Sequence, residues 1–164
     1  MRLTLLTGFL LVLLALTACT DTPPPLTPGT AVPSFALPDL GENTVSMPND
    51  FSGQVVALRF WADWCPFCKS EMQALEPVYQ RLHREGLVLL AINVRQDRAT
   101  AQAFLDKLNI SYPTLLDRDG AVARQYHVIG LPMTFIVDRT GRLVTRIVGE
   151  STPEVFEQAV REQL

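Results

Sequence analysis

The sequence predicts an α/β fold: a mixed central sheet flanked by helices on both faces. Two near-continuous apolar runs, Val55–Trp61 and Leu87–Val94, read as strands buried on both faces of a parallel sheet. Each is followed by apolar residues at helical spacing, which gives a βαβα series. A later pair of short strands around a glycine-containing turn reads as antiparallel, so the sheet is mixed.

The elements follow in order. Val55–Trp61 (VVALRFW) comes after Gly53 and is the first buried strand. From Cys65 to Arg84, Met72, Leu75, Tyr79 and Leu82 mark one helical face, with Pro77 expected to bend the helix midway. Leu87–Val94 (LVLLAINV) is the next strand. Ala101, Phe104, Leu105 and Leu108 then form an i, i+3, i+4, i+7 stripe, the mark of a second amphipathic helix. Beyond Pro113 a short strand near Thr114–Leu116 and a short helix near Ala121–Tyr126 lead into strands Met133–Val137 and Arg142–Val148. These two are joined through Asp138-Arg139-Thr140-Gly141. Thr152 and Pro153 supply an N-cap and a first-turn proline for a last helix, whose apolar face is Val155, Phe156, Ala159 and Val160.

The chain has 164 residues, 48% of them hydrophobic, which suits one compact domain. Fourteen basic against seventeen acidic residues, with no dense basic run, give no electrostatic footprint for nucleic acid. At the N-terminus, Arg2 precedes the apolar stretch Leu3–Leu16, too short to cross a bilayer and suited to an export signal. It ends in Leu16-Thr17-Ala18-Cys19, which resembles the bacterial lipobox. That resemblance implies a signal peptide over 1–18, lipidation of Cys19, and a chain tethered to a bacterial membrane facing the periplasm or cell exterior; the plainer alternative is an ordinary secretory signal with a chance cysteine. Loss of 1–18 removes one positive charge and leaves a net charge of −4. Residues 19–31 form a linker. Pro23, Pro24, Pro25, Pro28 and Gly29 favour extended, solvated backbone there, and its eleven residues from Thr20 to Thr30 could lift the domain at 32–164 up to roughly 30 Å.

The chemistry is expected at Trp64-Cys65-Pro66-Phe67-Cys68. A strand running directly into a helix places Cys65 at the helix N-terminus, where unpaired N–H groups and the helix dipole favour a thiolate. Pro66 suits the first helical position, and Cys68 lies on the same side of the helix within disulfide reach. A static staple is the weaker alternative, because closing so short a loop removes little chain entropy. Half of a zinc site is weaker still: only His83 and His127 remain as partners, neither at a helpful spacing, so no metal is expected.

WADWCPFCKSE, the lead-in FALPDLGENTVSMPNDFSGQVVALRFW and the downstream GLPMTFIVDRTGRLV resemble the TlpA/ResA-like branch of the thioredoxin superfamily, exported thiol-disulfide oxidoreductases, over about Val32–Leu164. The resemblance implies a thioredoxin fold with an N-terminal extension and a βα insertion. It implies that Cys65 attacks a partner disulfide and that Cys68 resolves the mixed disulfide, with no cofactor beyond the cysteine pair. Pro132 then falls where the fold carries a cis-proline facing the cysteines, with Leu131 before it and Trp64 shielding the site. Without the family, an X-Pro bond is cis only about 5–6% of the time. Glu71 falls where ResA-like members carry a Glu that tunes or relays the cysteine protons; the alternative is a solvated helix carboxylate. Arg59 stands where thioredoxins proper have a buried Asp. It points toward the site and favours a thiolate, or it snorkels to the surface.

These readings converge on a monomeric reductant of protein disulfides, with apocytochrome c as an example of substrate and a membrane thiol reductant as electron donor. A peroxidase would carry PxxxTxxC, where this chain has Leu58 and Ala62. A copper chaperone of this fold would space its cysteines by three residues and add a suitably placed His. Here two residues intervene, and His127 lies far downstream.

Overall fold

The computed structural model describes residues 26–164. Seven strands and four α-helices follow one another as β1 (Phe35–Pro38), β2 (Thr44–Met47), β3 (Val55–Trp61), α1 (Cys68–Leu82), β4 (Leu87–Val94), α2 (Arg98–Leu105), β5 (Thr114–Asp117), α3 (Ala121–Gln125), β6 (Met133–Val137), β7 (Leu143–Val148) and α4 (Pro153–Arg161). The main sheet has the order β5-β4-β3-β6-β7. β3 and β4 run parallel, as do β4 and β5, whereas β6 is antiparallel to both β3 and β7. The mixed sheet read from the sequence is therefore present, with β3 at its centre.

All seven residues of β3 are buried, as its uninterrupted apolar run requires of a strand covered on both faces. Side-chain alternation divides the core in two. Ala57 and Trp61 face a cluster with Met72 and Leu75 of α1, Ala101 of α2, and Phe156 and Val160 of α4. Val56, Leu58 and Phe60 face the other side, where α3 supplies Val122 and Ala123, and the β1–β2 hairpin supplies Phe35, Leu37 and Met47. There Tyr126 packs edge-on against Phe35 and Phe135 and donates its hydroxyl to the carbonyl of Pro33, 2.7 Å away.

Around α1 and before β3 the structure differs from the sequence reading. α1 begins at Cys68 and not at Cys65: Pro66 and Phe67 form a preceding turn, closed by the Cys68 N–H donating to the Cys65 carbonyl at 3.2 Å. The helix runs through Pro77, and its end at Leu82 passes into a 3₁₀ turn over His83–Glu85. The lead-in to β3 contains a hairpin of its own. Its turn is built on the Asp39 carboxylate, which accepts from the N–H groups of Gly41 (2.7 Å) and Asn43 (2.8 Å).

The expected signal peptide at 1–18, the expected lipid site Cys19 and the first part of the linker lie outside the described residues. The rest of the linker corrects the expectation of a free stalk reaching residue 31. Leu26 is buried in the second cluster. The Gly29 N–H donates to the Leu143 carbonyl (2.7 Å), the Leu143 N–H to the Thr30 carbonyl (2.9 Å), and Ala31 bridges Arg142. The edge of β7 offers unpaired backbone groups, and this segment takes them up. Leu26→Ala is expected to cost about 2 kcal/mol or more in urea unfolding of the full chain; a cost near zero would restore the free-stalk reading.

Candidate active site

Cys65 and Cys68 are joined by a disulfide, with their Cα atoms 5.4 Å apart. The sequence places them there because β3 ends at Trp61 and the chain turns at once into α1. The Cys65 N–H donates to the Ala62 carbonyl at 3.2 Å, and the next turn starts the helix. A side-chain clasp holds the approach to this turn. Gln96, just beyond β4, accepts from the Asp63 N–H (2.9 Å) and from Asn93 Nδ2 (2.9 Å), and its own amide donates to the Asp63 carboxylate.

The sulfurs are covered and their surroundings are not. Cys65 is 2% exposed and Cys68 is fully buried, whereas Trp64 and Phe67 are 67% and 50% exposed on either side. Two large apolar side chains therefore stand in water beside a buried disulfide. The peptide bond between Leu131 and Pro132 is cis. Pro132 is buried and its carbonyl accepts from the Gly149 N–H at 2.9 Å. Leu131 and Trp64, which the sequence reading assigned to a substrate groove, line one cleft of about 270 Å³.

Arg59 and Glu71 meet beneath this surface. Arg59 lies between Ala57 and Trp61 on the face of β3 that α1 covers, and it does not snorkel out: it is 1% exposed. Its Nη2 stands 2.6 Å from Glu71 Oε2 as a close charge contact, and its Nη1 donates to Thr134 Oγ1 at 2.9 Å. Glu71, one helical turn beyond Cys68, accepts at Oε1 from Ser151 Oγ at 2.9 Å and from the Ser151 N–H at 3.3 Å. The carboxylate is thus buried and paired, not solvated. Thr134 and Ser151 were missed by the sequence reading. Neither carries a motif, and each meets its partner across 75 or 80 residues of chain. Nearby, the Tyr112 hydroxyl donates to the Met72 carbonyl at 2.8 Å; burial, the largest influence on it, pushes its pKa up and keeps it a donor.

The remaining candidates lie elsewhere. His83 is exposed with its ring 5.1 Å from that of Tyr79. His127 adopts φ 53° just before the proline loop, and its Nε2 is buried with no hydrogen-bond partner among the described residues. Leu58 and Ala62, the positions where a peroxidase would carry Pro and Thr, are both buried and apolar, so they bring no hydroxyl to Cys65.

A thioredoxin-like sheet with a redox-active cysteine pair where its central strand meets a helix defines a thiol-disulfide oxidoreductase. The AhpC/TSA family matches residues 28–146. The thiol-disulfide oxidoreductase ResA of Geobacillus kaustophilus is 33% identical over 163 residues, covering 96% of this chain and 93% of that one. ResA of Bacillus thuringiensis subsp. konkukian is 29% identical over 133 residues, 81% and 76% of the two chains. Among solved structures, a Chlorobium tepidum protein assigned as the thiol:disulfide interchange protein DsbE superposes with a TM-score of 0.79 at 29% identity, covering 84% of this chain and 98% of its own. The chain belongs to the AhpC/TSA family and, within it, to the ResA-like thiol-disulfide oxidoreductases.

Removing one member of a buried ion pair strands the other charge. Arg59→Met is expected to destabilise the oxidised protein by about 3–5 kcal/mol in urea unfolding, and the double variant Arg59→Met/Glu71→Leu to recover most of that loss. A double variant no more stable than the single one would mean that Arg59 acts through packing and not through Glu71.

Proposed function

We propose that this oxidoreductase works outside the cytoplasm, held to a bacterial membrane through lipidated Cys19, and that it reduces protein disulfides such as those of apocytochrome c before haem attachment. The observation that carries the reading is a buried Cys65–Cys68 pair rimmed by exposed Trp64 and Phe67, a surface made for another polypeptide. Among the described residues no helix is long and apolar enough to cross a membrane, so the tether would have to come from the N-terminal segment.

In the reduced state, Cys65 attacks the partner disulfide as a thiolate. One partner sulfur leaves, takes up a proton, and the other stays in a mixed disulfide with Cys65. Cys68 then gives up its proton and attacks the Cys65 sulfur, which releases the second partner thiol and closes the Cys65–Cys68 disulfide. Two electrons pass to the partner. A membrane thiol reductant returns them, and no cofactor is needed beyond the cysteine pair.

Pro132 and Leu131 would present backbone and an apolar side chain to an extended partner strand, with Trp64 as the facing wall. Glu71 would tune Cys68. A carboxylate one turn away raises a thiol pKa, whereas the Arg59 cation offsets that effect and favours the thiolate. Of the two, Glu71 is nearer in sequence to the resolving cysteine and is the residue to which we assign the proton-tuning role.

Two measurements test this. Cys65→Ala should abolish insulin-disulfide reduction by the full chain, and retained activity would overturn the assignment of the attacking sulfur. Equilibration of Cys65/Cys68 with defined thiol buffers should give a potential near the thioredoxin end of the scale, about −270 mV, and Glu71→Gln should make it less negative by stabilising the thiolate of the reduced form. A wild-type value near about −120 mV would reverse the direction and assign disulfide formation instead.

A further inference from the structure

We propose that the cleft beside the disulfide is a side-chain subsite that selects partner segments carrying an apolar residue flanked by acidic residues near the reactive cysteine. The proposal rests on the exchange reading above and names the class of polypeptide that the site prefers.

The cleft lies between Trp64 and Leu131 and is completed by Val94, Ile129, Arg95 and Arg124. At about 270 Å³ it is below the usual size of a small-molecule site, roughly 300–1,000 Å³, and suits one large side chain of a docked polypeptide. Its wall is apolar and unfinished. Ile129 is 84% exposed and Trp64 is 67% exposed, so both lose solvent contact when a partner side chain enters.

The charge at the rim is specific. Arg95 and Arg124 are exposed, and neither forms an ion pair among the described residues. Arg124 uses Nη1 on the Asp119 carbonyl at 2.8 Å and keeps the rest of its guanidinium free. Arg95 and Arg124 are the only charged residues among those lining the cleft, and the carboxylates around it accept from neutral groups. Asp63 is held by Gln96, Asp119 accepts from the Ala121 N–H (2.9 Å), and Asp117 accepts from Val122 and Ala123 at the start of α3. Two guanidiniums without an ion pair, on a cleft whose lining holds no carboxylate, have a carboxylate as their complement.

The backbone is shaped to hold this arrangement. Arg95 takes φ 58°, a sparsely populated conformation for a side chain of its size. Its stem lies over Gly120, where an added Cβ would come within 2.6 Å of Arg95 Nε. Gly120 itself is at φ 73°, so it serves both as the turn and as the bare surface on which Arg95 rests. His127, at φ 53°, precedes Val128 and Ile129, which also line the cleft.

The test uses the reduced full chain and two peptide disulfides that differ only in carrying Asp-Leu-Asp or Lys-Leu-Lys next to the cysteine, with 2-hydroxyethyl disulfide as a small uncharged control. The Asp peptide is expected to react roughly tenfold faster than the Lys peptide at low salt, and the ratio to shrink as salt is raised. In Arg95→Gln/Arg124→Gln, shown folded by its unchanged thermal unfolding, the ratio should fall toward one; in Ile129→Ser both peptides should slow together. Equal rates in the wild type, or a preference that survives the double substitution, would overturn the subsite alone. Failure of the wild type to reduce any of the three disulfides would overturn the exchange reading and the subsite with it.

Discussion

A guanidinium inside the central strand of a sheet sets the terms for much of this molecule. β3 is buried along its whole length, so Arg59 cannot reach water and must be answered by an opposite charge and by hydrogen-bond acceptors. The answers come from three other parts of the chain. Glu71 on α1 supplies the charge, Thr134 on the neighbouring β6 supplies a hydroxyl, and Ser151 before α4 pins the far side of the carboxylate. The pair therefore ties the helix that starts at Cys68 to the strand that leads to Cys65. Disulfide placement and charge satisfaction are one structural problem, solved on one face of the sheet.

The same arrangement explains why the site divides into a buried and an exposed part. The sulfurs sit over a core that contains Met72, Trp61 and Tyr112, and the ionic pair lies within that core's polar seam. Trp64 and Phe67 belong to the turn between strand and helix, which has no core of its own to join, so they remain outside. Low dielectric below and apolar surface above are useful together: the first strengthens the influence of nearby charges on a thiolate, and the second supplies the contact that brings a partner sulfur within reach.

Much of this was legible in the sequence, for physical reasons. Val55–Trp61 and Leu87–Val94 stood out because a strand covered on both faces must be apolar throughout, and Cys65 and Cys68 because their spacing and their place between strand and helix are specific. Other features depend on contacts between residues far apart in the chain. Arg59 read equally well as pointing to the site or to solvent, since nothing local shows that Thr134 and Ser151 complete its surroundings. The β1–β2 hairpin escaped because strands of four residues around Pro38 and Asp39 carry too few positions for a period to emerge. Leu26–Ala31 looked like solvated linker by composition, and only the free edge of β7 makes it part of the sheet. Helix α1 starts three residues later than expected because Pro66 and Phe67 are spent on the turn that brings the two cysteines together.

That edge pairing also gives the molecule a direction. Thr30 and Ala31 join the sheet where Leu143 begins β7; Leu143 stands opposite Val137, and Val137 opposite Val56, near the start of β3. The cysteines follow the other end of that strand, about 20 Å away at 3.3 Å per residue. The polypeptide thus enters the body at one pole and does its chemistry at the opposite one. A load applied to the N-terminal segment falls on the β7 edge, where three backbone hydrogen bonds and Leu26 would yield first, and the redox pole would be mechanically insulated from it.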